Sequence, residues 1–265
     1  MHVINRLYSK EFDFDHYTGD PVMTYMVASI PRSGSTYFLL KLWEAGCLGA
    51  PMEYANFPIQ AQMMKRLGCE GDPISFWAKV RRCRTGPNGV YGYKMFMTNF
   101  LNISRNYPEL LDSIVPDHVV YLTRDDIAGQ AISYAKATQT RTWFAGGLKK
   151  VETTYDFDLI RSCEHSILSQ RQFWENVFSM TGTSVHRVTY EGLLKDVEGT
   201  VRSIREFMGL SEQASERLDI PFIEKQRDEE SEKWREMYEC EVAMKGRIDV
   251  AQLSVSQEFE LIDSY

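Results

Sequence analysis

The chain has 265 residues, 43% of them hydrophobic and 25% charged, and a formal net charge of −7. This is the balance of an ordinary soluble globular protein and excludes collagen-like, disordered and disulfide-scaffold classes. The acidic sign disfavours broad nucleic-acid binding, which clustered positive charge drives, yet leaves room for a small anion held by local amides and arginines.

Residues 1–22 read as an N-terminal extension. An unbroken apolar run over residues 25–30 predicts a strand buried on both faces, and it stops at Pro31. Arg32, Ser33, Gly34, Ser35 and Thr36 are small or turn-forming apart from the arginine. The segment YFLLKLWEAG then predicts a helix with Phe38, Leu39, Leu42 and Trp43 on one stripe and Gly46 as its stop. Residues 47–89 hold turn formers and short amphipathic pieces, FPIQAQMMKRLG and ISFWAKVRRCR. A second strand is predicted over 90–96, a helical stretch around 107–114, and a third strand over 118–124. Helices are predicted over 126–139 and 158–180, a fourth strand over 184–190 and a helix over 197–208. The stretch from 241 to 265 gives little signal and reads as a tail.

Strands alternating with helices predict a single α/β domain, a short parallel sheet with helices on both faces. Ligands of such sheets bind beyond the carboxyl ends of the strands. The segment ASIPRSGSTYFLL offers a cradle there. Its turn aims backbone N–H groups at one spot, the helix N-terminus adds partial positive charge, and Arg32 adds a cation that can grip two oxygens. The loop departs from the GxxxxGK[ST] of nucleotide triphosphatases, because Ser29 replaces the first glycine and no lysine follows Gly34. A nucleotide kinase or NTPase on a modified loop, and an inactive nucleotide-binding homologue, are the rival readings.

Cysteines 47, 69, 83, 163 and 240 form no CxxC pair and read as thiols of a reducing compartment. No His/Cys/Asp cluster has metal-ligand spacing, so no metal is expected. His16, His118, His165 and His186 read as structural or surface residues. No apolar run is long enough to span a membrane and the N-terminus lacks a signal-peptide core, so a cytoplasmic protein is expected.

Across residues 25–240 the sequence resembles the bacterial sulfotransferases related to mycobacterial trehalose sulfotransferase. PRSGST (31–36), GAPMEY (49–54), GPNGVYGYKMF (86–96) and LTRDDIAGQAISYAKATQTRTW (122–143) carry the resemblance. RQFWENVF, VTYEGLLKDVEGTV and EKQRDEESEKWREMY continue it in order. It implies a P-loop-like sulfotransferase fold and a sulfuryl transfer from 3′-phosphoadenosine-5′-phosphosulfate to a hydroxyl, of a carbohydrate or a glycolipid, without a metal. It places the 5′-phosphosulfate on Arg32, Ser33, Gly34, Ser35 and Thr36, and the 3′-phosphate on Arg124 and Ser133. It puts Glu53 where the family has its proposed general base, and it suggests a homodimer. Each residue also has a plainer reading. Arg124 can pair with Asp125 or Asp126, Ser133 can bond its own helix, and Glu53 can be a solvated loop residue. Lys94 faces the same edge and either serves the sulfuryl group or acceptor, or snorkels to the surface. Tyr54, Phe57, Trp77, Trp143 and Phe144 are the aromatics on hand for an acceptor pocket, Tyr54 the one favoured as a substrate residue.

Overall fold

A computed structural model describes residues 3–15, 17–143, 151–210, 220 and 229–246. Its sheet consists of β1 (Met23–Ser29), β2 (Val90–Phe96), β3 (His118–Thr123) and β4 (Val185–Thr189), all parallel in the order β2-β1-β3-β4. Each strand falls within two residues of the apolar run that predicts it. In β1 every residue from 24 to 29 is buried, and in β3 every residue from 119 to 122. Successive side chains of a strand point to opposite faces, so both faces of the central strands are covered, which explains the unbroken apolar runs. Edge strand β4 is mostly half-exposed.

Parallel strands require crossovers, and helices supply them. A short α1 (Val3–Arg6) precedes β1. Between β1 and β2 lie α2 (Ser35–Glu44), α3 (Phe57–Leu67) and α4 (Pro73–Arg84). Then α5 (Met97–Asn106) and α6 (Pro108–Ile114) lead to β3, and α7 (Ile127–Thr140) and α8 (Phe157–Thr181) lead to β4. The chain continues through α9 (Tyr190–Lys195), α10 (Val197–Phe207) and α11 (Glu229–Lys245). Aspartates set several starts by accepting a first-turn N–H: Asp72 for α4, Asp126 for α7, Asp156 for α8 and Asp196 for α10.

Besides the short α1 and α9, which have no counterpart in the sequence reading, two longer helices depart from it. The Asn-rich α5 follows β2 without a breaker. Its intrinsic propensity is weak, and packing supports it instead, with Phe100 edge-on to Phe173 (5.9 Å) and Trp174 (5.8 Å). α11 carries the chain to residue 245, into the stretch read as tail. It is anchored by buried Trp234, 5.9 Å from Tyr155, and Tyr238, 5.4 Å from Phe157. Residues 247–265 lie outside the described ones, as do His16 and Phe144.

From β1 the chain moves to β2 on one side, then crosses back to β3 on the other. The loops after β1 and β3 therefore flank the point where strand order reverses, the place where open α/β sheets bind ligands.

Candidate active site

The turn after β1 is built from two left-handed residues, Arg32 (φ 63°) and Gly34 (φ 82°). For the arginine that conformation costs about 1–2 kcal/mol, and long-range contacts hold it there. Arg32 Nε donates to Ser133 Oγ on α7 at 2.9 Å, and Nη1 donates to the carbonyl of Trp143 at 2.6 Å. Gln130, buried on α7, donates from Nε2 to the carbonyl of Pro31 at 2.8 Å. Gly34 is fixed by space as well as by φ, since a Cβ there would lie 2.3 Å from two ring carbons of Tyr190. No side chain caps α2, so its first-turn N–H groups and the positive end of its dipole face the cradle. Ser35 and Thr36 open that helix. Ser33 differs from its predicted role. Its N–H closes the turn on Ile30 O at 3.2 Å and its hydroxyl is shut in the interior without a partner among the described residues, so it shapes the loop rather than lining its ligand face.

After α2 the chain returns to the sheet edge. Met52 forms a parallel bridge with Tyr93, and Lys94 N donates to Met52 O at 2.9 Å. That register sets Glu53 against Lys94, with Nζ 2.6 Å from Oε2. Glu53 is 6% exposed and Lys94 2%, so neither the solvated glutamate nor the snorkelling lysine is what forms. The second carboxylate oxygen accepts from Asn56 Nδ2 at 3.3 Å. Lys94 Nζ also reaches Ser35 Oγ at 3.4 Å and lies 3.9 Å from the centre of the Phe96 ring. Burial pushes the Lys94 ammonium below its ordinary value; the Glu53 charge and hydrogen bond oppose this, and the Arg32 charge adds to it.

The same register turns Tyr54 away. Tyr54 enters a tight turn, its N–H bonding Met52 O at 3.2 Å, so Glu53 faces Lys94 and Tyr54 the core. Tyr54 is fully buried, donates its hydroxyl to Ala50 O, stacks on Tyr91 (6.4 Å) and meets Trp77 edge-on (6.4 Å). Tyr54 and Trp77 are thus core residues and not an acceptor wall. Phe57 is exposed at the start of α3, and Trp143 packs on Tyr134 at 5.8 Å.

Beyond β3, Arg124 meets Asp126 at 2.8 Å, the plainer pairing the sequence allows. The structure adds a second guanidinium that local pattern did not reveal: Arg235 of α11 reaches the same Oδ2, also at 2.8 Å. Burial alone would raise the Asp126 carboxyl; hydrogen bonds from Arg235, Arg124 and the Gly129 N–H outweigh it and hold the group well below the usual carboxylate range. Gly129 makes this convergence possible, because a Cβ there would lie 2.1 Å from Asp126 Oδ2 and 2.5 Å from Arg235 Nη2. Arg124 also sits 5.8 Å from the Tyr190 ring that packs on Gly34. The tyrosine therefore connects the two loops. Ser133, expected beside Arg124, is instead joined to Arg32. The segments quoted for the resemblance contain Gln130, Tyr190 and Arg235, but nothing in their spacing marks them.

His118 and His186 flank Phe207, at 5.1 and 5.2 Å between rings, with His118 at the amino end of β3, opposite the loops. Cysteines 47, 69, 83 and 163 are buried free thiols and Cys240 is an exposed one. Among the described residues no group of three metal-type ligands occurs, and no helix is long and apolar enough to cross a membrane.

Residues 24–241 match the family described as Stf0 sulphotransferase. Trehalose 2-sulfotransferase of Mycobacterium tuberculosis is 22% identical, the match covering 85% of this chain and 97% of that protein. Trehalose 2-sulfotransferase of Mycolicibacterium smegmatis is 23% identical, over 86% and 98%. Among solved structures, the sulfotransferase domain from the curacin biosynthetic pathway superposes with a TM-score of 0.46 and 14% identity, covering 74% of this chain and 76% of that one.

Proposed function

The chain belongs to the Stf0 sulphotransferase family and so is a sulfuryl-transferring enzyme; we propose that its donor is 3′-phosphoadenosine-5′-phosphosulfate and its acceptor a hydroxyl of a carbohydrate or glycolipid. The observation that carries this reading is the contact chain Glu53–Lys94–Ser35, 2.6 Å and then 3.4 Å, which joins a buried carboxylate to the first residue of α2, in the anion cradle. A base beside the acceptor and a cation beside the donor are what sulfuryl transfer to a hydroxyl requires.

In this scheme the hydroxyl oxygen attacks sulfur, its proton passes to the Glu53 carboxylate, and the bond from sulfur to the bridging oxygen of the 5′-phosphate breaks, its electron pair leaving with the nucleotide. Arg32, Gly34, Ser35 and Thr36 hold the charge that develops on the leaving phosphate, and Lys94 faces the oxygens of the moving group. Positioning and electrostatics then do most of the work, as in phosphoryl transfer. Arg124, just past β3, and Ser133, on α7 and hydrogen-bonded to Arg32, hold the 3′-phosphate in this reading. Two features favour a sugar as acceptor: the matching relatives carry the name trehalose 2-sulfotransferase, and the exposed Phe57 ring follows Glu53 by one helical start. The reading includes a single-domain, cytoplasmic homodimer, with two-fold association the commonest form for soluble oligomers and static light scattering its test.

The deciding experiment replaces Glu53 by Gln, which keeps size and most hydrogen bonds but removes the base. Turnover falls by about 10²–10⁴, while the dissociation constant of 3′,5′-bisphosphoadenosine by calorimetry stays that of the wild type. Wild-type single-turnover rates from Glu53→Gln would remove the residue from the mechanism.

A further inference from the structure

Residues before 24 lie outside the family match, yet they reach the catalytic segment. We infer that Tyr8 is a positioning residue for the reaction, fixing the backbone of Glu53 from the N-terminal extension. This rests on the reading of Glu53 as the base.

The backbone N–H of Glu53 donates to Tyr8 Oη at 3.2 Å, across a sequence separation of 45 residues. In the segment from 50 to 56, Ala50 N bonds Arg84 O (3.3 Å), Ala55 O accepts from Asn99 Nδ2 (3.1 Å), and the other backbone bonds are short-range turns and the bridge to β2; none of them uses the Glu53 N–H, which has no partner in a helix or a ladder. Tyr8 is 2% exposed, its ring edge-on to Tyr54 at 6.2 Å. The phenol is pushed well above its ordinary value by burial first and by the Glu53 charge second, which places the hydroxyl inside the field of the carboxylate as well as on its amide. The charges around it are Glu53 from the sheet-edge segment and Arg84 from α4.

A buried arginine keeps the extension in place. Arg84, fully enclosed, donates Nη1 to Leu7 O at 3.0 Å and Nη2 to Ser9 O at 3.2 Å, the carbonyls on either side of Tyr8. Its Nε lies 3.1 Å from Asp13 Oδ1, and Arg66 holds the other Asp13 oxygen at 2.6 Å. Phe14 N bonds Cys83 O at 3.0 Å. Tyr8 is therefore presented to Glu53 by a clamp built on α3 and α4. An exposed tail that merely covered apolar surface would not need its two flanking carbonyls held by one guanidinium. The clamp fixes where the phenol oxygen stands, and the phenol oxygen fixes where the Glu53 amide stands.

The test compares Tyr8→Phe with Phe12→Leu, which weakens the same extension at its contact with Trp43 (5.8 Å) without touching Glu53. Tyr8→Phe is expected to lower kcat about tenfold, the scale of one lost hydrogen bond at a reacting group. KM for the acceptor and affinity for 3′,5′-bisphosphoadenosine stay unchanged, and amide exchange quickens in the peptide containing Glu53. Phe12→Leu lowers Tm and leaves kcat at the wild-type value. Equal losses of kcat in both variants, tracking Tm, would reduce Tyr8 to packing and overturn the inference. So would wild-type kcat in a folded Tyr8→Phe. Should Tyr8→Phe fail to fold, Tyr8→His offers a ring nitrogen to the same amide, and its kcat must exceed that of Tyr8→Leu at equal Tm. If Glu53→Gln turns over normally the base reading fails and this inference with it. If Glu53→Gln is inactive and Tyr8→Phe normal, only this inference fails.

Discussion

Two charged clusters flank the turn after β1, and they are held in opposite ways. On the β2 side, Glu53 and Lys94 form a pair with both partners almost wholly enclosed, 2.6 Å apart. On the β3 side, Arg124, Asp126 and Arg235 share one carboxylate oxygen with each side chain about a fifth to a quarter exposed. Water screens the second cluster and has little access to the first. In a dry site an ion pair roughly cancels its own desolvation, but loss of one partner leaves a charge with nothing to balance it. In a wet site loss of a partner is answered by solvent. The β2 side is thus a rigid, all-or-none device suited to a reacting group. The β3 side is a more exposed set of cations around one carboxylate, which in the proposed reading gives way to the donor's 3′-phosphate.

The largest effect that would break this contrast is on stability. Lys94→Met leaves Glu53 enclosed without its partner and should lower unfolding free energy by about 3–5 kcal/mol in chemical denaturation. Adding Glu53→Gln to that variant removes the orphan charge and should restore most of the loss. A double variant no more stable than Lys94→Met would show that the pair is not enclosed as described. The pair also carries a pH signature. Since burial lowers the Lys94 ammonium below its unfolded value of about 10.4, its contribution to stability is fully present above that value and is lost as pH falls through the lowered folded one. Wild type should therefore gain on Lys94→Met as pH is raised toward the ordinary lysine range. A constant difference between the two across that range would contradict the shift.

A smaller effect tests the ligand side. Arg124→Ala should weaken 3′,5′-bisphosphoadenosine by roughly ten- to 150-fold, the worth of about 1.5–3 kcal/mol for a hydrogen bond to a charged group, and AMP far less. Equal weakening of both nucleotides by calorimetry would detach Arg124 from the 3′-phosphate. The smallest effect is the sharpest discriminator. Asp126→Asn keeps the cap on Gly129 N (3.0 Å) but removes the charge that occupies both arginines. Stability should change by less than about 1 kcal/mol, and bisphosphoadenosine should bind up to about fivefold more tightly. Weaker binding in Asp126→Asn would mean that the carboxylate orders the arginines for the ligand instead of competing with it.

Much of the frame was legible in the sequence because its signals are local. Apolar runs of strand length, broken by Pro31 or Pro87-Asn88-Gly89, mark β1 and β2. Aspartates followed by apolar-periodic stretches mark α7, α8 and α10. The cradle of Arg32, Gly34, Ser35 and Thr36 was legible for the same reason, since a strand, a turn and a helix start sit within a dozen residues. By contrast α5 lacked any such signal: its weak formers are held by Phe173 and Trp174 of α8, with α6, β3 and α7 in between.

By itself, then, the sequence determined the alternation of strands and helices, the parallel sheet and the tight turn after β1, all of which depend on side-chain period and turn chemistry between near neighbours. Tertiary structure decided which side chains share the site. The Met52–Tyr93 bridge set Glu53, and not Tyr54, beside Lys94. Ser133 went to Arg32 across 101 positions, Lys94 to Ser35 across 59, and Tyr8 to Glu53 across 45. Such pairings are fixed by sheet order and by what burial leaves within hydrogen-bonding reach, and neither quantity exists until the chain has closed on itself.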